Sequence, residues 1–255
     1  MSNRRIAVIG TGNVATHLIE WFEAAGFLVT SVYTRHPDEH SQSTFIIRDH
    51  LNYEEELCDF IVIATKDDAV AQVVAQLSNT GQAIILHTSG TVPLAVLERP
   101  DFAGTGILYP LQTLQKDRAI TLDRVPFLIE GKTQGDLAAI TALCDAVGIN
   151  HSVASSEERL TYHVSAVISA NFTNHLLFIA EKFLAGQQLN ANILRPLMHE
   201  TIQKAFELGA LNSQTGPARR GDEQTLKRHI DLLKDPQVKQ LYEIISNSIL
   251  STYRQ

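Results

Sequence analysis

Short apolar runs alternate with amphipathic stretches through the first half of the chain. The runs are "IAVIG" (6–10), "LVTSVY" (28–33), "DFIVIAT" (59–65), "AIILHTS" (83–89), "GTGILYP" (104–110) and "PFLIEG" (126–131). Between them, residues 14–25 and 68–77 carry apolar side chains at helical spacing, and 133–147 does the same after the sixth run. Strands alternating with helices predict βαβ units and a parallel sheet. Runs as uniformly apolar as "FIVIA" fit a sheet covered on both faces. A short extended stretch, "INHSVA" (149–154), closes this half.

After Ala154 the strand signals stop. "SSEERLTYHVSAVISANFTNHLLFIAEKFLAG" (155–186) reads as one long helix, with Ser155 and Glu158 as a capping box and Gly186 as its stop. Apolar residues fall on almost every face, which predicts a central, largely buried helix. "ILRPLMHETIQKAFELGA" (193–210) and "QVKQLYEIISNSILSTYR" (237–254) are further helices, joined through the polar "NSQTGPARRGDEQT" (212–225). The expected fold is α/β: a doubly wound parallel sheet in residues 1–153, then an all-helical domain in 154–255.

Composition narrows the partners. A formal charge of −7 over 255 residues argues against general affinity for nucleic acid or anionic membrane. No apolar run spans a bilayer, and Gly10, Gly12 and Asn13 interrupt the apolar segment after Arg4 and Arg5, so no secretory signal is read there. Cys58 and Cys144 lie far apart without ligand partners nearby, as reduced thiols do. Together these predict a cytoplasmic protein. The histidines are scattered without ligand spacing, so no metal site is expected.

The first apolar run opens directly into G-x-G-x-x-A, residues 10–15, and then into a helix. Gly10 permits the tight turn, Gly12 lets a pyrophosphate approach the backbone, and Ala15 allows close helix–strand packing. Asn13 and Val14 begin the helix whose N–H groups would face the phosphates. In an NAD site an acid at the end of the second strand holds the ribose 2′-hydroxyl. Here the sequence is "SVYTRH": Arg35 can fork onto a 2′-phosphate with Thr34 beside it, which favours NADP over NAD. The competing reading is an ordinary β–α turn and a solvated arginine. Later loops at the strand ends place Thr65, Lys66 and Ser89 at the cofactor, and His87, Tyr109 and Gln112 at nicotinamide or substrate.

These motifs, with "HTSG" (87–90), "YPLQT" (109–113), "YHVSAVISANFTNHL" (162–176) and "TGPARRGD" (215–222), resemble a bacterial family. Its members join a Rossmann-like domain to a C-terminal helical domain of unknown function and are labelled NADP oxidoreductases. The wider superfamily includes pyrroline-5-carboxylate reductase, ketopantoate reductase, 6-phosphogluconate dehydrogenase and coenzyme F420-dependent NADP oxidoreductase. The resemblance implies a helical domain like the C-terminal one of 6-phosphogluconate dehydrogenase, a homodimer built through it, and a cleft active site. Tyr109 departs from the family, which often has histidine before "PLQT".

Hydride transfer needs a proton donor near the acceptor atom. His163 and Asn174 lie eleven residues apart, close to three helical turns, with Asn171 beside Asn174. They are the catalytic candidates, against the plainer role of tying helices together. The superfamily's dehydrogenases use a Lys–Asn pair on the corresponding helix. No lysine stands on this face, Lys182 lying near the helix end, so His163 is the substitute donor. Arg219 and Arg220, with Thr215, are candidates for a substrate carboxylate or phosphate. The chain therefore reads as an NADP-dependent oxidoreductase for a small anionic substrate, or as an NADP-binding sensor that lost the chemistry.

Overall fold

A computed structural model describes residues 4–35, 46–54 and 57–254. Contacts within the chain divide it into two compact units, Met1–Asn171 and Phe172–Gln255. The division falls later than the change from strand to helix near residue 153.

The first unit is built on one eight-stranded sheet. Its strands are β1 (Arg5–Ile9), β2 (Leu28–Tyr33), β3 (Ile46–Arg48), β4 (Phe60–Ile63), β5 (Ile84–His87), β6 (Gly104–Pro110), β7 (Phe127–Gly131) and β8 (His151–Val153). They stand in the order β3-β2-β1-β4-β5-β6-β7-β8. Alternate residues of β1 enter different cores, as the pleat requires. Ile6 and Val8 pack with Leu18 and Phe22 of α1 (Asn13–Ala24) and Ile140 and Leu143 of α3 (Gln134–Val147). Ala7 and Ile9 pack with Val70, Val73 and Val74 of α2 (Asp67–Gln76) on the other face. This is the doubly wound arrangement, and the strand order reverses beside β1, the place where such sheets leave a crevice.

The expectation of a wholly parallel sheet needs one correction. β7 runs antiparallel to β6, because residues 111–126 contain no crossover helix. α3 then returns the chain to a β8 parallel with β7. The reversal has a consequence for α4 (Ser156–Ala166). It starts beside the carboxyl-terminal half of β6, where Val153 is level with Ile129 and Leu108 and Ser156 donates to Glu130. The edge strand β3, which periodicity passed over, has only two adjacent apolar residues and an exposed Ile46.

The long helical run starts where the sequence placed it. Ser155 accepts from the Glu158 N–H while the Glu158 carboxylate accepts from the Ser155 N–H. It is not one uniform helix: a π turn, Val167–Asn171, separates α4 from α5 (Phe172–Ala185). Nor is it buried within the single chain, since Tyr162, Val164, Ile168, Phe172 and Phe178 are each half exposed or more. The second unit continues with α6 (Leu194–Leu208), α7 (Ala210–Ser213), α8 (Pro217–Arg220), α9 (Glu223–Leu232) and α10 (Pro236–Tyr253). Among the described residues no helix is long and apolar enough to cross a membrane.

Candidate active site

The β1–α1 turn forms the floor of a cleft of about 750 Å³ in the first unit. Gly10 has φ 123°, and a Cβ there would run into the Ala64 carbonyl oxygen, so no other residue fits. Gly12 has ordinary extended geometry and caps α1 without any side-chain hydrogen bond. A Cβ built on Gly12 meets nothing within 4 Å. The first-turn N–H groups of α1 thus open onto a space of the kind a pyrophosphate fills. Ala15 is fully buried against the sheet, as close packing of α1 demands.

At the ribose end of this cleft stand Tyr33, Thr34 and Arg35. Thr34 is buried with its N–H on the Arg48 carbonyl at 3.0 Å, and Arg35 is exposed. His36 lies outside the described residues. Thr65 and Lys66 line the opposite wall beside Asp68. The open cradle at Gly12 and the cations Arg35 and Lys66 fit an anionic dinucleotide.

A second constellation lies in the same unit. The Tyr109 hydroxyl is 3.0 Å from His163 Nδ1, joining β6 to α4. Gly90 is their seat: a Cβ on it would lie 2.5 Å from His163 Nδ1 and 2.8 Å from Tyr109 Cζ. Burial raises the Tyr109 pKa, and the negative charge of Asp67 adds to this, while Arg159 works against it. The phenol therefore keeps its proton at neutral pH. In the tautomer where Nδ1 accepts from that phenol, the imidazole carries its own proton on Nε2. Asp67 accepts a hydrogen bond from the Thr91 hydroxyl at 2.6 Å and so fixes the neighbouring loop.

Other predicted residues hydrogen-bond within the first unit, and Asn13 and Val14 also line the cleft. His87 has no exposed surface. Its Nδ1 accepts from the Ser89 N–H at 3.2 Å. Burial, then the charge of Arg159, lowers its pKa from 6.5 to about 4, against smaller raising effects of the Pro93 carbonyl and Asp67. Ser89 is buried too; its Oγ accepts from the N–H groups of Thr91 at 3.1 Å and Val92 at 3.0 Å and shapes the turn. Gln112 closes its own loop, donating to the Arg124 carbonyl at 3.0 Å. The Asn13 side chain accepts from the Lys116 N–H at 3.2 Å.

His87 gives a pH prediction. The unfolded histidine takes up a proton below pH 6.5 that the folded one refuses until about 4. Stability should therefore be complete above that window and fall as pH drops through it, by up to about 3 kcal/mol. Urea titrations across the window should record the loss. His87→Asn, which keeps an acceptor for Ser89, should flatten it.

The helix predicted to carry both His163 and Asn174 is interrupted between them by the π turn Val167–Asn171. A π turn winds more residues per turn than an α-helix and shifts everything after it. Asn171 ends that turn and Asn174 follows it, and both are exposed. In the second unit, the Arg219 guanidinium bonds the Gln214 carbonyl and stacks 5.2 Å from the Tyr253 ring centre. Arg219 is thus engaged by its own loop and by α10, and Arg220 and Thr215 are exposed like it.

Comparison with known proteins now bears on this geometry. Residues 5–89 match the family described as NADP oxidoreductase, coenzyme F420-dependent. Residues 125–249 match the domain of unknown function DUF2520. A Bacteroides fragilis protein assigned as an NADP oxidoreductase has a crystal structure 31% identical in sequence, covering 98% of each chain, with a TM-score of 0.88. The chain belongs to this family of NADP oxidoreductases. Its fold recurs in more distant structures. A reductive aminase from Aspergillus terreus, in complex with NADPH and ethyl levulinate, is 15% identical over 100% of both chains at a TM-score of 0.75. A 1-pyrroline-5-carboxylate reductase from Streptococcus pyogenes is 14% identical, covering 98% of this chain and 100% of the other, at 0.59. Among curated proteins none matches the sequence.

The Gly10–Gly12 cleft and the Tyr109–His163 pair stand at the same edge of the sheet, since β1, β4, β5 and β6 are parallel neighbours. Sequence reading found both tyrosine and histidine but neither their contact nor the role of Gly90. The spacing of "HTSG" hinted at the latter, as a glycine directly after polar strand-end residues.

Proposed function

We propose that the protein is a reductase or dehydrogenase that moves a hydride between NADP(H) and a small, anionic substrate, with the Tyr109–His163 pair handling the accompanying proton. The observation that carries this is an open phosphate cradle and a hydrogen-bonded tyrosine–histidine pair on one sheet edge. NADPH, when bound, supplies the hydride. The α1 N–H groups hold the pyrophosphate and Arg35 takes the 2′-phosphate. Tyr109 orients the imidazole, and His163 Nε2 offers its proton to the oxygen or nitrogen that gains the electron pair. The NADPH and the carbonyl ester bound by the reductive aminase support a polarised C=O or C=N substrate. The anionic character rests on the exposed Arg220 of the second unit, a residue type suited to a carboxylate or phosphate. The test is a screen of small keto acids, aldehydes and imines, followed by NADPH absorbance with NADH in parallel. Consumption of NADPH with at least one set supports the reading; intact binding without turnover throughout favours a sensor.

The same proposal includes a cytoplasmic homodimer. Apolar side chains are left bare in each unit, Tyr162, Val164 and Ile168 in the first and Phe172, Phe178 and Phe206 in the second, and a second copy would cover them. Light scattering should return twice the chain mass of 28.2 kDa; the single mass would count against it.

A further inference from the structure

Arg159 is fully buried and stands one helical turn before His163 on α4. Its guanidinium donates to the Glu130 carboxylate at 2.6 Å and to the Val92 carbonyl at 2.6 Å. Ser156 reinforces the clamp, donating to Glu130 at 2.7 Å while its oxygen accepts from the Leu94 N–H at 2.9 Å. Glu130 lies on β7 opposite Ile107, two residues before Tyr109 on β6. One side chain thus ties together the helix that carries His163, the loop that follows Gly90, and the strand beside Tyr109. The cost is visible, because Arg159 Nε is buried without a hydrogen-bond partner. A buried ion pair is a poor way to gain stability compared with apolar packing, and its better-attested use is to fix one arrangement among several.

We propose that Arg159 is the positioning residue for His163: its clamp holds α4 and the Gly90 loop where imidazole Nδ1 meets the Tyr109 hydroxyl. The functional weight of this rests on the pair carrying the proton, but the placement itself is measurable without turnover. The experiment is nitrogen-15 NMR of the His163 ring in the full-length protein. The variants are Arg159→Lys and the paired Arg159→Met with Glu130→Gln, which removes both buried charges together. Tyr109→Phe is the reference for a ring that has lost its partner.

The wild-type ring should show one neutral tautomer, protonated at Nε2. The paired variant should melt cooperatively and bind NADPH within about twofold of wild type, its changes being remote from the cleft. Its His163 signals should nonetheless move to the mixed-tautomer values of Tyr109→Phe. Arg159→Lys keeps the charge but reaches only one of the two acceptors, and should move in the same direction; it decides the matter if the paired variant does not fold. A folded variant with the wild-type His163 spectrum overturns the proposal. Unimpaired turnover by His163→Ala would overturn the proton-donor reading alone and leave this result standing.

Discussion

Gly12→Asp should leave no measurable NADPH binding in a protein that is as stable as wild type or slightly more so. Gly12 has backbone angles that aspartate adopts freely, and its Cβ would enter open space. α1 has no side-chain cap at present, so aspartate there should gain a few tenths of a kcal/mol for the helix. The same carboxylate would stand in the pyrophosphate's place. Two unit charges about 4 Å apart repel by roughly 4 kcal/mol near a protein surface, roughly a thousandfold in affinity. Calorimetry and thermal melting on one sample separate the two effects. Gly10→Ala should behave oppositely and damage the fold, because its φ of 123° and the Ala64 carbonyl exclude a side chain. NADPH affinity unchanged in a folded Gly12→Asp protein would remove the cradle from the cofactor site.

The second large effect is expected at the pair. His163→Ala should lower turnover by about 10²–10⁴-fold, the usual contribution of a general acid, with NADPH affinity nearly unchanged. Tyr109→Phe removes only the orienting hydrogen bond, a loss of about 1 kcal/mol or roughly fivefold to tenfold. Gly90→Ala should resemble His163→Ala, since the new methyl group occupies the space of both rings. Substrates found with wild type in the absorbance screen make all three measurable. Equal turnover by His163→Ala and wild type would reduce the pair to a link between β6 and α4.

What the sequence made legible was local. The run into Gly10, Gly12 and Ala15 encodes a turn, a close approach and a helix start within six positions, so strand, cradle and α1 follow from it. The Ser155–Glu158 box likewise marks the start of α4 without help from the rest of the chain. What it hid depends on distant residues. Tyr109 and His163 lie 54 positions apart, and β7, α3 and β8 come between them in the chain. Nothing in "PFLIEG" states its direction; the missing crossover helix before it does. The π turn at Val167–Asn171 interrupts a helix that periodicity reads as uniform. His87 looked like a ligand-facing strand end, but burial within the first unit leaves it no exposed surface.

The central claim, an NADP(H) site selective for the 2′-phosphate, is tested most directly by titrating NADPH and NADH in parallel into wild type and Arg35→Ala. An arginine–phosphate contact contributes about 1.5–3 kcal/mol. Wild type should therefore prefer NADPH by roughly ten- to a hundredfold, and Arg35→Ala should lose that preference while holding NADH as before. Equal affinity of wild type for the two nucleotides, or no heat with either, would contradict it.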